Sequence, residues 1–206
     1  GGRGGLGNDE FKSATNQTPR YAENGQEGQV KKVHLQMRLI ANIGLIGLPN
    51  AGKSSLLQVL TKANPKIGDY PFTTLEPNLG VMPTPNKNLI LADIPGLIEG
   101  ASTGRGLGIK FLKHIEKTNL LAHCIDISQE DLNHTYTTVR KEFEQYNPEL
   151  LNKPEIIILT KTDLLDKKEI EQKIKSMQKT NKDKVIIPVS IIDDQSLENL
   201  KKILTT

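Results

Sequence analysis

The chain has 206 residues and a formal net charge of +3, with 27 lysines and arginines against 24 aspartates and glutamates. Hydrophobic residues make up 36% and charged residues 25%, which excludes wholesale disorder. The single cysteine, Cys124, excludes an internal disulfide and a zinc site built from cysteines. No apolar run approaches the roughly 20 residues of a membrane span, and no signal peptide opens the chain. We therefore expect a cytoplasmic protein that does not contact a membrane.

The first part of the chain differs in composition from the rest. Seven of the 17 glycines lie within residues 1 to 28, and apolar side chains are few there. Such a stretch cannot bury enough apolar surface to order itself as an independent domain. Two interpretations stay open, a flexible linker and a piece of a larger glycine-rich domain. The alternating apolar pattern from Val30 to Leu39 then predicts a half-buried strand.

From residue 39 the chain alternates between strand and helix patterns. Short runs rich in leucine and β-branched residues predict strands at Leu39–Ile46, Asn88–Ala92, Leu120–Ile127, Glu155–Leu159 and Val185–Val189. Helical patterns lie between them, at Lys53–Thr61, Gly108–Lys117, Leu132–Tyr146, Lys167–Lys179 and Gln195–Leu204. Strands that alternate with crossover helices predict an α/β fold of three α/β/α layers around a mainly parallel sheet.

The loop after the first of these strands has the pattern G-x-x-x-x-G-K-S. It reads Gly47-Leu48-Pro49-Asn50-Ala51-Gly52-Lys53-Ser54 and lies between a predicted strand and a predicted helix, as a phosphate-binding loop requires. Its backbone N–H groups and the helix N-terminus would face phosphate oxygens. We expect Lys53 to bridge the β- and γ-phosphates and the Ser54 hydroxyl to bind Mg²⁺. The pattern predicts a P-loop NTPase domain.

Two further tetrapeptides follow predicted strands. The first is Asp93-Ile94-Pro95-Gly96, in which the carboxylate can hold Mg²⁺ through water and the Gly96 N–H can contact a γ-phosphate. The second is Thr160-Lys161-Thr162-Asp163. The Asp163 carboxylate can accept hydrogen bonds from the N1–H and the exocyclic amine of guanine, which adenine does not offer in that arrangement. Each pattern alone is weak evidence for nucleotide binding, but it is stronger evidence when it follows a phosphate-binding loop in the same chain.

The order of these motifs resembles a translation-factor-class GTPase domain. More narrowly, GLPNAGKS, DYPFTTLEPNLGV, DIPGLIEGA and FLKHIEKT resemble the Obg family of ribosome-associated GTPases. The first 40 residues agree, because GGRGGLGN and the G-x-x-G at Gly25 to Gly28 resemble the end of that family's glycine-rich N-terminal domain. The resemblance implies that residues 1 to 40 are the end of an Obg domain, that residues 41 to 206 are an OBG-type GTPase domain, and that the chain is a fragment.

The resemblance also implies roles for individual residues. Thr74 would be a second protein ligand of Mg²⁺, beside Ser54, and would act in catalysis with Lys53, Gly96 and Asn50. The first switch segment would consist of Phe72, Thr73, Thr74, Leu75 and Glu76. The second switch segment would contain Asp93, Ile94, Pro95 and Gly96. The base would be bound by Thr160, Lys161, Thr162 and Asp163, and lined from the last loop by Ser190, Ile191 and Ile192.

Two residues depart from the family pattern. Thr160 stands where the family usually has asparagine, whose amide ties the base-binding loop to the phosphate loop, and a hydroxyl makes only part of that pattern. Ile191 replaces the usual small residue, although its backbone N–H is retained. We expect both changes to affect nucleotide affinity more than base specificity.

The position after D-x-x-G bears on catalysis. Many switch GTPases orient the attacking water with a glutamine there, but Leu97 occupies it in this chain. An arginine from a partner could stabilise the transition state, and so could K⁺ coordinated by Asn50, since Asn50 resembles the asparagine of GTPases that use K⁺. In the other interpretation Asn50 only fits the turn.

Other polar residues are interpreted as structural. We expect His114 and His123 to be non-catalytic and Cys124 to be a small buried apolar group. The lysine-rich face at Lys167, Lys168, Lys173 and Lys175 is interpreted as solvated, with a contact to rRNA as the alternative.

The function implied by the resemblance is that of a monomeric, Mg²⁺-dependent GTPase that hydrolyses GTP slowly to GDP and phosphate. It would act as a switch in assembly of the large ribosomal subunit or in a stress response, with rRNA and ribosomal proteins as partners. The alternative is a nucleotide-gated binding scaffold on ribosomal particles in which hydrolysis is vestigial. A P-loop enzyme that uses ATP is disfavoured by Asp163.

Overall fold

A computed structural model of the chain describes residues 1–33, 41–61, 66–67, 78–85, 87–94 and 115–205. The chain divides into two compact units, Gly1–Met37 and Arg38–Thr206. No helix within the described ranges is long and apolar enough to cross a bilayer.

The first unit is held by backbone contacts between extended segments. The Gln26 N–H donates to the Arg3 carbonyl at 2.8 Å, and the Glu23 N–H donates to the Leu6 carbonyl at 2.9 Å. A Cβ atom on Gly2 would lie 1.7 Å from the carbonyl oxygen of Gln26, so only glycine permits this close approach. These contacts support the interpretation as a piece of a glycine-rich domain over that of a linker.

The structure describes only residues 30–33 of the strand predicted from Val30 to Leu39, and these four residues do not form a strand. Residues 30–33 have no regular structure, and Val30 and Val33 are 97% and 73% exposed. An alternating pattern makes a strand only where a second strand pairs with it, and no described segment pairs with these residues. Residues 34–39 lie outside the described part.

The second unit contains a seven-stranded sheet. Its strands are β1 Ala41–Ile46, β2 Lys66–Ile67, β3 Asn78–Pro83, β4 Asn88–Asp93, β5 Thr118–Asp126, β6 Glu155–Thr160 and β7 Val185–Pro188. Their order in the sheet is β2-β3-β4-β1-β5-β6-β7. Strands β4, β1, β5, β6 and β7 are parallel, whereas β2 and β3 are antiparallel additions at one edge. The prediction of a mainly parallel sheet is confirmed.

Helices cover both faces of this sheet. They are α1 Lys53–Thr61, α2 Leu132–Tyr146, α3 Lys167–Thr180 and α4 Asp194–Thr205. Leu57 of α1 and Leu200 of α4 pack with Leu45 in the core of one face. Phe143 of α2 and Met177 of α3 belong to the core clusters of the other face. Because strand side chains alternate between faces, each buried strand contributes to both cores, and the three-layer prediction is confirmed.

Local signals determine the helix ends. The Asp131 side chain caps α2 by accepting from the His134 N–H at 2.9 Å. Asp166 and Glu169 form a capping box at the start of α3. The predicted bounds of α1 and α2 are confirmed; α3 is one residue longer than predicted at its C-terminal end, and α4 is one residue longer at each end. Most of the helix predicted at 108–117 lies outside the described residues.

Two strands were not predicted. In β3 the buried side of the strand is formed by Gly80 and Met82, so the apolar alternation is weak. Gly80 lies directly against Thr61 of α1, which leaves no room for a side chain that would have signalled a strand. Strand β2 has two residues, too few to show a pattern. Strand β5 also begins earlier than predicted, because Thr118 pairs with Ala41.

Candidate functional site

The predicted site residues that the structure describes meet at one edge of the sheet. The phosphate loop follows β1, Asp93 ends β4, Thr160 ends β6, and Ser190 follows β7. These strands are parallel, so their carboxyl ends share an edge, and β1 lies where the chain order reverses in the sheet. Ligands of open α/β sheets bind at such a reversal. The predicted residues Phe72, Thr73, Thr74, Leu75, Glu76, Pro95 and Gly96 lie outside the described residues.

The phosphate loop has the backbone geometry of a tight turn into a helix. Gly47, Asn50 and Gly52 have positive φ angles of 140°, 60° and 81°. A Cβ atom on Gly47 would lie 2.2 Å from the carbonyl oxygen of Cys124, so a larger residue would push the loop away from β5. Asparagine tolerates the left-handed conformation better than most residues, which accounts for Asn50 as a turn residue. The structure therefore agrees with the turn interpretation of Asn50 and leaves the K⁺ role as a prediction.

Lys53 is held against the loop rather than extended into solvent. Its Nζ atom donates to the carbonyl oxygens of Gly47 and Leu48, at 2.9 Å each, and the residue is 6% exposed. Burial lowers the pKa of the ammonium, and the negative charge of Asp93 opposes this effect. The cation thus lies against the loop that leads into α1, whose N-terminus favours an anion.

Ser54 and Asp93 provide hard oxygen atoms beside the loop. The Ser54 hydroxyl donates to Asp93 Oδ2. The other carboxylate oxygen, Asp93 Oδ1, is buried and has no hydrogen-bond partner within the described residues. A buried carboxylate oxygen without a partner is costly unless a cation or a bound water satisfies it. Hydroxyl and carboxylate oxygens are the ligands that Mg²⁺ prefers, so these residues fit the ion.

Thr160 joins the base-binding segment to the phosphate loop. Its Oγ1 atom lies 2.9 Å from the Ala51 carbonyl oxygen and 3.1 Å from that of Ile125. A hydroxyl has one proton and donates to one carbonyl at a time. The prediction that Thr160 makes only part of the usual amide pattern agrees with this geometry, since the link to the loop is kept through one donor.

The carboxylate of Asp163, which the sequence predicts to contact the base, is held by a serine from the next loop. Asp163 lies in a 3-10 turn, Thr162–Leu164, and Ser190 Oγ donates to Asp163 Oδ1 at 2.6 Å. The same hydroxyl oxygen accepts from the Ile192 N–H at 3.3 Å. Ser190 is 3% exposed whereas Asp163 is exposed, so a buried group orients an accessible carboxylate.

Comparisons with known proteins decide the family. A sequence profile described as 50S ribosome-binding GTPase matches residues 42–161, and one described as GTP1/OBG matches residues 1–39. The GTPase Obg of Pelagibacter ubique is 51% identical over 201 residues, which cover 98% of this chain and 61% of that protein. The chain belongs to the Obg GTPases. The family prediction is confirmed, and this member spans about 61% of the length of that relative.

Solved structures of Era share the fold of this Obg GTPase. A point variant of Aquifex aeolicus Era bound to GDP·AlF4− is 25% identical, with a TM-score of 0.61 over 82% of this chain and 57% of that one. Era in complex with MgGDPNP and a segment of 16S ribosomal RNA is 26% identical, with a TM-score of 0.61 and the same coverage. The P-loop GTPase fold predicted from the sequence is confirmed.

Asp126 is a candidate site residue that the sequence patterns did not single out. Lys161 Nζ lies 2.6 Å from Asp126 Oδ2, and Ser128 donates to Asp126 Oδ1 through its N–H and its hydroxyl. Partial burial opposes the charge of Asp126, but these hydrogen bonds outweigh burial and lower the pKa of the carboxyl. The pair ties the side chain of Lys161, whose φ is 60°, to the end of β5. Asp93 was identified because its carboxylate ends a parallel strand, and Asp126 ends β5 in the same way, so the same signal could have identified it.

His123 and Cys124 are structural, as predicted. His123 is fully buried and bonds to Glu155 rather than to the site edge, with 3.1 Å between His123 Nδ1 and Glu155 Oε1. Cys124 is fully buried in the apolar core, and burial raises the pKa of its thiol to about 12. Lys173 differs from the solvated interpretation, because its Nζ atom donates to the carbonyls of Ile127 and Gln129. His114 lies outside the described residues.

Proposed function

We propose that this chain binds GTP and GDP at the carboxyl edge of its sheet and hydrolyses GTP slowly to GDP and phosphate. The observation that carries the proposal is the Thr160–Ala51 hydrogen bond, which joins the segment that ends in Asp163 to the phosphate loop. One hydrogen bond thereby sets the distance between a base-reading carboxylate and a phosphate cradle. A guanosine di- or triphosphate needs both groups beside one ligand, so this link and membership of the Obg GTPases support the proposal.

The residues divide the binding work between them. The loop N–H groups and the start of α1 would hold the β-phosphate, and Lys53 would place its charge on the β- and γ-phosphates. Asp163 would accept from the guanine N1–H and amine, and Lys161 would pack beside the base. Gly96 and Thr74 would contact the γ-phosphate side of the site. Ile191 would contribute its backbone N–H near the guanine carbonyl.

Ser54 and Thr74 would hold Mg²⁺ directly, and Asp93 would hold it through a water molecule. The buried, partnerless Asp93 Oδ1 and the adjacent Ser54 hydroxyl support this assignment. The bound ion supplies positive charge that offsets the negative charge of the phosphates. Era, which shares the fold, is described as a complex with MgGDPNP, and this too supports Mg²⁺.

Base recognition gives the direct test of the proposal. In Asp163→Asn the carboxylate becomes an amide, so GDP affinity should fall on the order of 10²-fold through loss of a charge-assisted pair. Xanthosine diphosphate, which carries a carbonyl in place of the amine, should bind the variant better than it binds the wild type. Asp183→Asn removes an exposed carboxylate before β7 and serves as the control. Unchanged GDP affinity in Asp163→Asn would contradict the proposal.

Hydrolysis requires a group that stabilises the negative charge of the transition state, and the Leu97 side chain has no polar atom for this purpose. We place K⁺ in that role, coordinated by the Asn50 amide oxygen, and expect faster turnover in KCl than in NaCl at equal ionic strength. Asn50→Gly keeps the left-handed backbone and removes the amide, so it separates the two roles of Asn50. It should lose the KCl advantage while Mg²⁺-GDP binding is retained. Equal rates in both salts would leave a partner's arginine as the better account.

The cellular role that we propose is a monomeric switch in assembly of the large ribosomal subunit or in a stress response. Its support is the family description, 50S ribosome-binding GTPase. The second candidate, a nucleotide-gated scaffold with vestigial hydrolysis, is favoured by Leu97 at the position where many switch GTPases have glutamine. Single-turnover hydrolysis with and without large ribosomal subunits separates the two. Stimulation by the particles supports the switch, and nucleotide-dependent binding without stimulation supports the scaffold.

A further inference from the structure

Ser196 lies outside the predicted binding motifs but contacts one of their residues. It is the third residue of α4, and its Oγ atom accepts from the Ser190 N–H at 3.2 Å. The same hydroxyl lies 2.9 Å from the Asp193 carbonyl oxygen and 3.2 Å from that of Ser190, so it donates back to the turn. One side chain thus closes the turn from Ser190 to the start of α4.

The Ser190 backbone depends on this contact. Ser190 is 3% exposed, so solvent is poorly placed to replace the Ser196 oxygen as acceptor for the Ser190 N–H. A buried donor that loses its acceptor shifts until it finds another. Any shift of the Ser190 backbone moves its hydroxyl, which is the group bonded to Asp163 Oδ1 at 2.6 Å.

We infer that Ser196 is a positioning residue for guanine recognition, which it controls through Ser190 and Asp163. The inference rests on the proposed function, because it assigns Asp163 to the guanine base. Ser196 is separated from the Asp163 carboxylate by two hydrogen bonds and therefore acts on it only through Ser190. Its contribution is to hold the Ser190 hydroxyl at the angle at which Asp163 faces both the N1–H and the exocyclic amine.

The test compares GDP with inosine diphosphate, which lacks the exocyclic amine and keeps the N1–H. In Ser196→Ala the affinity for GDP should fall about tenfold, the size of one lost hydrogen bond, and that for inosine diphosphate should fall less. The preference for GDP over inosine diphosphate should therefore narrow. Ser196→Thr keeps the hydroxyl and should restore both values. Thr137→Ala, which removes an exposed helix hydroxyl bonded to backbone carbonyls, is the matched control.

Folding does not confuse this readout. Both nucleotides are titrated on the same folded variant, so a lower thermal midpoint caused by the lost hydrogen bonds would not change the ratio of their affinities. A double-mutant cycle adds a second measurement: if Ser196 acts through Ser190, the double variant should bind GDP no more weakly than Ser190→Ala. Additive losses, an unchanged GDP preference, or equal losses for both nucleotides would overturn the inference. A wild type without preference for GDP would instead overturn the base assignment in the proposed function.

Discussion

The hydroxyl of Thr160 is the smallest group on which the candidate site depends. It reaches the Ala51 carbonyl at 2.9 Å and the Ile125 carbonyl at 3.1 Å, and the residue is 4% exposed. Where the family usually has an amide with two N–H donors, this chain has one O–H donor for two buried acceptors. The residue therefore keeps the loop and the base segment together with less redundancy than an amide provides.

Substitution of Thr160 tests this dependence. Thr160→Val is nearly isosteric but lacks the donor, so GDP affinity should fall about tenfold and the free energy of unfolding by about 1–3 kcal/mol. Thr160→Ser keeps the hydroxyl and is the matched control, and Thr160→Asn should bind GDP at least as tightly as the wild type. Calorimetric titration with GDP and urea unfolding measure the two effects. Wild-type GDP affinity in Thr160→Val would contradict the role assigned to the hydroxyl.

At the scale of elements, one buried carboxylate at the start of β6 joins β5, β6 and α2. Glu155 Oε2 accepts from the Tyr136 hydroxyl at 3.0 Å and from Arg140 Nη1 at 3.1 Å, and Lys184 Nζ lies 3.3 Å from it. His123 Nδ1 is 3.1 Å from Glu155 Oε1. Burial opposes the charge, but the His123 hydrogen bond and the neighbouring cations outweigh it and lower the pKa of Glu155 to about 2.

This cluster predicts a pH dependence of stability. Because the pKa of Glu155 is lower in the folded chain than its usual 4.5, the ionised carboxylate stabilises the fold above about pH 4.5. The contribution, about 3 kcal/mol from a shift of that size, should be lost as the pH falls from about 4.5 towards 2. Urea unfolding at several pH values measures it.

Two substitutions isolate the contribution of Glu155. In Glu155→Gln the free energy of unfolding should fall less between about pH 4.5 and 2 than it does in the wild type. At pH 7 the substitution should lower the free energy of unfolding by about 3–5 kcal/mol, because Arg140 and Lys184 lose their buried partner. Glu171→Gln removes an exposed carboxylate on α3 and should change little. If Glu155→Gln loses as much stability at acid pH as the wild type does, other carboxylates are responsible for the pH dependence.

At the scale of the whole molecule, the proposed switch concerns segments that flank the described core. The first switch segment precedes β3, which pairs antiparallel with β4, and the second begins at Asp93, the last residue of β4. Both segments thus enter or leave the same pair of strands beside the phosphate loop. A γ-phosphate contacted by Thr74 and Gly96 would act on both segments at once.

Limited proteolysis tests whether these segments respond together. Residues 66 to 80 should be protected with Mg²⁺ and a non-hydrolysable GTP analogue and cleaved with GDP, since ordered loops resist proteases. Thr74→Ala should remove the difference and leave GDP binding nearly intact, whereas the neighbouring Thr73→Ala should preserve it. Equal protection in the two nucleotide states of the wild type would mean that this segment is not a switch.

Several features of the molecule follow from the amino-acid sequence alone, because they depend on short-range patterns. The spacing of Gly47, Gly52 and Lys53 identifies the phosphate loop, and helical periodicity is sufficient to place α1 and α2 with their observed bounds. Strand patterns followed by polar residues placed Asp93 and Asp163 at strand ends. Motif order and spacing were also enough for the family.

Only the tertiary structure decided which distant residues meet. The Thr160–Ala51 bond spans 109 residues, the Ser54–Asp93 bond 39 and the Lys161–Asp126 bond 35, and each depends on the order of strands in the sheet. Strand β3 was missed, and residues 30–33 of the strand predicted from Val30 to Leu39 do not form a strand, for one physical reason. A strand is completed by its pairing partner, and a local pattern does not contain that partner. The Ser196 contact follows from the same principle, since no pattern marks a serine in α4 as the support of a turn that precedes the helix.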